Sequence, residues 1–156
     1  MKAEYINPFV KTAVSTLKQF IPDIEIERGE LSVSESPFET VGTATYIGIS
    51  GDLEGRVIYE MDRPTAVNIA SAMNGEDLPG LNEMVRSTIQ ELGNIISGNA
   101  TTELRQAADN KEIEITPPSM IVGRDTEISD SVSSKFLSVP LKTNHGDVIV
   151  NVAVQD

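Results

Sequence analysis

The sequence contains no cysteine, and this absence excludes several kinds of site at once. Disulfides, thiolate metal sites and cysteine nucleophiles cannot form, and a reducing compartment is the simplest setting for such a chain. Long hydrophobic runs are also missing. No stretch approaches the roughly 20 apolar residues that a membrane span needs, and the N-terminal stretch lacks the apolar core and cleavage site of a secretion signal. We therefore expect a cytoplasmic protein that is neither exported nor membrane-bound.

Basic residues are scarce, with 12 Lys and Arg against 24 Asp and Glu, so the formal net charge is -12 and the pI is near 4.4. Nucleic acids are usually bound by a basic stripe with interleaved aromatic side chains. Here tryptophan is absent and the basic residues are dispersed, so we expect no nucleic-acid partner. The excess of carboxylates has two interpretations: it attracts a partner with a basic patch, or it simply keeps the protein soluble.

The length of 156 residues fits one ordinary domain, which can bury roughly 70% of the surface that its unfolded chain exposes. No linker, low-complexity tract or clear repeat divides the chain, so we expect residues 1–156 to form a single domain. The first segment predicts an amphipathic helix with Asn7 as N-cap and Pro8 at the first helical position. Its apolar residues recur at helical spacing: Phe9, Val10, Ala13, Val14, Leu17 and Phe20.

The pattern changes after Pro22, where Ile24 and Ile26 alternate with acidic residues. Residues 41–50 and 57–59, separated by a glycine-rich turn, predict a β-hairpin. A short helix is predicted over residues 64–73 and a long one over about 81–108. Strand character returns at 112–116, 136–143 and 148–155. The predicted fold is α/β of the α+β type, with long helices packed on a largely antiparallel sheet.

The long helix sorts its residues onto two faces, because an α-helix turns about 100° per residue. With Ser87 at zero, Glu91 lies near 40°, Asn94 near −20° and Gly98 near 20° by that geometry. We call these four residues the polar row. The opposite face, between about 140° and 200°, carries the apolar stripe that must contact the rest of the protein: Val85, Ile89, Leu92 and Ile96.

Two glycines interrupt this helix, and each costs about 1 kcal/mol relative to alanine. Gly98 is in the polar row, where a missing side chain lets another surface approach the backbone. Gly93 lies off the row and is better explained by packing inside the protein. Glu and Asn on a helix exterior are usually just solvated, so the spacing of Glu91 and Asn94 alone does not establish a functional site.

A resemblance changes that assessment. The stretch from Ser87 to Gly98, S-x-x-x-E-L-G-N-x-x-x-G, resembles the signature helix of the CheC/CheX/FliY family of CheY phosphatases. Three further stretches resemble its CheX branch and occur in the expected order: IGISGDLEGRVIYEM (47–61), TAVNIASAMNGED (65–77) and EITPPSMIVGRD (114–125). The resemblance covers nearly the whole chain and implies a CheC/CheX-like fold.

The resemblance implies a chemotaxis phosphatase that hydrolyses the aspartyl phosphate of a CheY-type response regulator. Asn94 and Glu91 would be the catalytic pair: Asn94 holds the attacking water and Glu91 engages the regulator's active-site lysine. An amide can donate and accept without titrating, and a carboxylate suits a lysine partner. Ser87 either supports Glu91 or is ordinary surface. The Mg²⁺ would sit on the regulator, so the phosphatase itself needs no metal or other cofactor.

CheC-type members usually carry two copies of the motif, whereas this chain has one, as the CheX branch does. Glu103 and Gln106 have the spacing of a second copy, but Glu103 falls near 160°, on the apolar side, and is interpreted as an ordinary helix residue. Strand-rich edges and the resemblance also suggest a homodimer formed through the sheet.

Other kinds of site are weaker. His145 is the only histidine and lies in a predicted turn, so a histidine-based triad or multi-histidine metal site cannot be built. The acidic residues of the turns lack the spacing of an EF-hand loop. Two competing functions stay open: a non-catalytic module, related to flagellar-switch proteins, that binds a phosphorylated regulator, and, ranked last, a small-molecule phosphatase.

Overall fold

Three α-helices lie on one face of an eight-stranded antiparallel sheet in residues 3–35, 38–107, 109–128 and 135–155, the parts of the chain that the computed structural model describes. A short 3₁₀ helix, Ala3–Tyr5, comes first. The α-helices are α1 (Asn7–Phe20), α2 (Arg63–Asn74) and α3 (Glu83–Ala107). The strands are β1 (Ile26–Arg28), β2 (Ser32–Glu35), β3 (Phe38–Gly51), β4 (Glu54–Met61), β5 (Ile113–Ile115), β6 (Ser119–Ile128), β7 (Lys135–Thr143) and β8 (Gly146–Gln155).

The strand order is β1-β7-β8-β4-β3-β5, with β2 also paired to β7 and β6 also paired to β3. All of these pairs are antiparallel. The predicted α+β class is therefore confirmed. None of the helices in the described ranges is long and apolar enough to cross a membrane.

The β3–β4 hairpin lies in the middle of the sheet and supports the helices. Its register runs from Thr43 opposite Met61 to Ile49 opposite Gly55, which confirms the predicted hairpin. Side chains alternate between two faces along each strand. One face joins the helices in the main hydrophobic core, and the other carries a smaller buried cluster around Ile58 and Phe136.

The second face also holds a polar chain that crosses four strands, with one half-buried member, Ser34, and three buried ones. Ser34 and Ser138 hydroxyls are hydrogen-bonded at 3.1 Å, and Ser138 donates to Asn151 Oδ1 at 2.5 Å. Asn151 Nδ2 donates to Glu60 Oε2 at 3.0 Å, whereas Glu60 Oε1 is buried without a hydrogen-bond partner. Burial raises the pKa of the Glu60 carboxyl, and hydrogen bonds from Asn151 and from the Val41 backbone oppose the rise.

The ends of α2 lie within one residue of the predicted bounds, whereas the start of α1 does not have the predicted cap. Asp62 caps α2 by accepting from the Thr65 N–H at 2.9 Å, and Gly75 ends it in the left-handed conformation with φ 69°. The predicted N-cap of α1 is wrong. Ile6 occupies the cap without a side-chain hydrogen bond, and Asn7 is already helical, with its Oδ1 accepting from Arg28 at 3.4 Å.

The C-terminal half contains one more strand than predicted. The structure adds β6, which pairs along β3 over Phe38–Tyr46. Its first residues are partly exposed and do not alternate between buried and exposed positions. The two-residue pattern that identifies a half-buried strand is therefore missing there. The predicted strand at 112–116 shortens to β5, and the long helix begins at Glu83, where Asn82 Oδ1 accepts from the Val85 N–H. Residue 108, its predicted end, lies outside the described residues.

Candidate active site

The two faces of α3 are as the sequence predicts. The apolar stripe is buried, with Val85, Ile89, Leu92 and Ile96 each at most 3% exposed. On the opposite side Ser87, Glu91 and Gly98 are exposed and Asn94 is half-buried. The helix is held to the protein by one face, so the polar row is presented along the other.

Asn94 and Glu91 are available for an external partner. Neither side chain has a hydrogen-bond or ion-pair partner among the residues that the structure describes. The amide of Asn94 can accept from a water and donate to an oxygen at the same time, and the carboxylate of Glu91 can accept from a cationic donor. The pair can therefore orient a small polar molecule against a charged surface brought to the helix.

The two glycines of α3 have different surroundings. A Cβ added at Gly98 would meet nothing within 4 Å, so no contact inside the protein requires glycine there. A Cβ added at Gly93 would lie 3.1 Å from Thr45 Cγ2 and 3.3 Å from Tyr59 Cδ2. The packing interpretation of Gly93 is confirmed, and Gly98 keeps the helix backbone open to solvent.

A buried hydrogen bond joins α3 to the sheet one turn beyond Gly93. Tyr59 Oη and Ser97 Oγ are 2.7 Å apart, and the residues are 2% and 0% exposed. Burial raises the pKa of Tyr59, and the bond to Ser97 opposes the rise; the phenol is thus neutral at physiological pH. Helix periodicity did not single out Tyr59 or Ser97, because their pairing spans 38 residues.

A second tie joins α3 to α1. The single proton of the Thr12 hydroxyl has the Pro8 carbonyl as its nearest acceptor at 2.7 Å, and the carbonyls of Phe9 and Ile96 each lie 3.3 Å from the same oxygen. The Ile96 carbonyl thus makes a weaker, shared contact with this hydroxyl in the turn that follows Asn94. Both ties lie close to the polar row along the helix.

Glu103 is an ordinary helix residue, as predicted. It is half-buried and forms an ion pair with Lys11 of α1 at 3.3 Å. His145 lies in the β7–β8 turn, where its backbone carbonyl accepts from Asn68. Within the described ranges, no three His, Cys, Asp or Glu side chains form a group that could hold a metal ion.

The polar row does not lie in the depression of about 660 Å³ that opens beside the start of β3 and the N-terminus of α2. That depression is lined by residues 39–42 and 62–64 and by no residue of α3. Small-molecule sites usually enclose most of their ligand. An exposed helix face instead requires a second surface to complete the site.

Sequence comparison supplies the family. The model of the chemotaxis phosphatase CheX family matches residues 43–142, a range that includes the whole polar row. The chain belongs to the CheX family. A CheY-P phosphatase CheX from Thermotoga maritima is 34% identical over 132 residues, which cover 82% of this chain and 81% of that protein.

Solved CheX structures share the fold along nearly the whole chain. The chemotaxis protein CheX of Desulfovibrio desulfuricans matches with a TM-score of 0.85 and 25% identity, over 97% of this chain and 99% of that one. The CheX of Borrelia burgdorferi, solved as a CheX–CheY–BeF3–Mg²⁺ complex, matches with a TM-score of 0.82 and 34% identity, over 99% and 100%. The predicted CheC/CheX-like fold is thereby confirmed.

Proposed function

We propose that this protein hydrolyses the aspartyl phosphate of a phosphorylated CheY-type response regulator and so terminates a chemotaxis signal. Asn94 positions the attacking water, and Glu91 engages the active-site lysine of the regulator. The activity is the one that the Thermotoga relative is named for. The residue assignment rests on the polar row. There the Asn94 amide has no partner among the described residues and the Glu91 carboxylate is exposed, on a helix whose opposite face is buried in the protein.

The chemistry suits this arrangement. Phosphoryl transfer depends mainly on positioning and electrostatic stabilisation, and little covalent chemistry is asked of the protein. An amide places a water without titrating, because it has no ionisable group. A carboxylate bound to the regulator's lysine aligns the two proteins while leaving the phosphate to the regulator's own groups.

The metal belongs to the regulator in this proposal. The solved relative contains CheY, BeF3 and Mg²⁺ together. Mg²⁺ prefers several oxygen ligands in octahedral geometry, whereas the polar row offers a single carboxylate, that of Glu91. The phosphatase therefore supplies no cofactor of its own, and Mg²⁺ reaches the reaction on the regulator's acidic pocket.

Ser87 and Gly98 have supporting roles at the two ends of the row. Ser87 lies one turn before Glu91 and can orient its carboxylate. Gly98 lets the regulator approach the helix backbone, since the space above it is open. Gly98→Ala should stabilise the free protein by about 1 kcal/mol and raise the KM for the regulator. An unchanged KM would remove Gly98 from the docking surface.

The remaining assignments concern assembly and setting. We propose that residues 1–156 act as one CheX-like phosphatase domain, that the protein is a homodimer formed through the sheet, and that it works in the cytoplasm. A single cooperative unfolding transition checks the first. Light scattering that returned a monomer at working concentration would contradict the second.

The experiment mixes the purified protein with a phosphorylated CheY-type regulator in Mg²⁺ and follows the loss of phosphate. Asn94→Ala should lower kcat by about 10²-fold or more, and Glu91→Ala by about 10- to 100-fold. Asn99→Ala is the matched control, because Asn99 is exposed on the same helix but lies off the row at about 120°. It should leave the rate unchanged.

The non-catalytic binding module is the competing function. A binder would leave the phosphate lifetime unchanged or lengthen it while still associating with the phosphorylated regulator. A binding titration beside the kinetic assay separates the two. An Asn94→Ala variant that dephosphorylates as fast as wild type would show that the water is positioned by some other group.

A further inference from the structure

α3 contacts the sheet through Gly93 and Ser97, which lie one turn apart on the helix. The missing side chain of Gly93 lets the helix lie against Thr45 and Tyr59, where an added Cβ would be 3.1 Å from the first and 3.3 Å from the second. One turn later the buried hydroxyls of Tyr59 and Ser97 are bonded at 2.7 Å. Tyr59 thus contacts α3 through its ring edge and through its hydroxyl.

These two contacts have different physical effects. The glycine contact lets the helix axis come near to the sheet, because a Cβ there would require either the helix or the side chains of Thr45 and Tyr59 to shift by a few tenths of an ångström. The hydroxyl pair is directional, so it resists rotation of the helix about its axis. Apolar packing alone would be satisfied by alanine at position 97 and phenylalanine at position 59, neither of which would fix the rotation in this way.

Asn94 is next to this contact in sequence and lies about 60° to 100° around the helix from Ser97 and Gly93. Its amide extends about 5 to 6 Å from the helix axis, so a rotation of about 10° moves it by about 1 Å. A misplacement of about 1 Å can lower a rate by about 10²-fold. A small rotation of α3 relative to Tyr59 therefore displaces the Asn94 amide far enough to lower the rate.

We propose that Tyr59, Gly93 and Ser97 are positioning residues for the phosphatase reaction, which set the height and rotation of α3 and thereby the place at which Asn94 holds the attacking water. The inference rests on the proposed function of Asn94. A residue of the sheet would then affect the reaction. Tyr59 of β4 does not act on the water directly, but it sets the position of the helix that carries Asn94.

The first test measures steady-state dephosphorylation of a phosphorylated CheY-type regulator by Tyr59→Phe and Ser97→Ala. Each variant should lower kcat by about 10-fold or more and leave KM for the regulator unchanged, since the exposed surface of the row is retained. The double variant should be no slower than the slower single variant, because both substitutions break one bond.

The matched control is Thr43→Val. Thr43 is buried on the same hairpin, and its hydroxyl donates to the Met61 carbonyl at 2.8 Å and not to α3. The Thr43→Val variant loses one buried hydrogen bond, as the Tyr59→Phe variant does. The thermal unfolding temperatures of the two variants should therefore fall by similar amounts. Only Tyr59→Phe should lose kcat. If both keep wild-type kcat, or both lose it equally, the positioning role is refuted.

The second test uses the glycine contact and a compensating change. Gly93→Ala should lower kcat by about 10-fold, because its Cβ must displace the helix or Thr45. Thr45→Ser removes the Cγ2 atom that lies 3.1 Å from that Cβ, so Gly93→Ala combined with Thr45→Ser should recover part of the lost kcat. A folded double variant that recovers none contradicts the inference.

The outcomes separate this inference from the function on which it rests. Wild-type protein that does not shorten the phosphate lifetime, or an Asn94→Ala variant that is fully active, overturns the proposed function and the positioning role together. Active wild type, an inactive Asn94→Ala and a Tyr59→Phe with wild-type kcat overturn the positioning role alone.

Discussion

Replacing Glu60 with glutamine should stabilise the protein at neutral pH, although it removes a charged partner from a hydrogen-bonded chain. The carboxyl is 4% exposed, one of its oxygens has no hydrogen-bond partner, and burial raises its pKa. The folded state therefore holds the Glu60 proton more tightly than the unfolded state does. The contribution of this group to stability is complete below the unfolded pKa of about 4.5 and is lost as pH rises toward the folded pKa.

The size of the effect follows from linkage. Within that interval each pH unit lowers the free energy of unfolding by up to about 1.4 kcal/mol. Glutamine keeps two polar atoms at this position but removes the buried charge, and a buried group without a partner costs more when it is charged than when it is neutral. We therefore expect Glu60→Gln to exceed wild type by on the order of 1 to 3 kcal/mol at pH 8. At pH 4.5 the two should differ by less than about 0.5 kcal/mol, since Glu60 of the wild type is then only half ionised in the unfolded state and still less ionised in the folded state.

The assay is urea unfolding of both proteins from pH 4.5 to 8.5, and the quantity of interest is their difference at each pH. Glu54→Gln is the control, because Glu54 is exposed at the start of the same strand and its substitution removes the same formal charge. Its difference from wild type should be small throughout. If the Glu60→Gln difference is also flat with pH, or favours wild type at pH 8, Glu60 is ionised without penalty and the reasoning fails.

Three further predictions concern stability and use the same titration at pH 7. Asp62→Ala removes the cap that accepts from the Thr65 N–H and should cost about 0.5 to 2 kcal/mol; an Asp62→Ser variant as unstable as Asp62→Ala would argue against capping. Leu104→Ala opens a cavity at a fully buried position of α3 and should cost about 2 to 5 kcal/mol, so a loss below 1 would contradict the packing. Lys11→Ala breaks the exposed pair with Glu103 and should cost less than about 1 kcal/mol; a larger loss would mean that the pair is shielded from solvent.

Local patterns predicted most of the elements because their causes are local. α2 is delimited by Asp62 and Gly75, and the faces of α3 follow from a period that needs no knowledge of the rest of the chain. The N-cap of α1 was wrong by one residue: the preceding 3₁₀ helix leads into α1 through Ile6, and the Asn7 side chain accepts from Arg28 of β1 and does not cap the helix. The sequence pattern of α1 alone does not show that a helical turn precedes it.

The missed features depend on partners far away in sequence. β6 is a strand because it pairs with β3 about 75 to 90 residues earlier, and its own residues carry no clear alternation. The contact of Tyr59 with Ser97 is likewise invisible to helix periodicity, which places Ser97 at about −80°, between the polar row and the apolar stripe. The helix period alone predicts which residues of α3 are exposed, and this is why the polar row could be found from the sequence. The distance between α3 and the sheet cannot be predicted from that period.

One of the two central strands of this sheet, β8, is the last of the described strands to be synthesised. β8 lies between β4 and β7, and its four valines, Val148, Val150, Val152 and Val154, all belong to the main core. A chain that is still emerging from the ribosome can form α3 and the β3–β4 hairpin, but the hairpin's β4 side and β7 have nothing to join them. The sheet therefore cannot be completed before β8 is made, and a chain truncated before Gly146 should leave β4 and β7 without the strand that joins them.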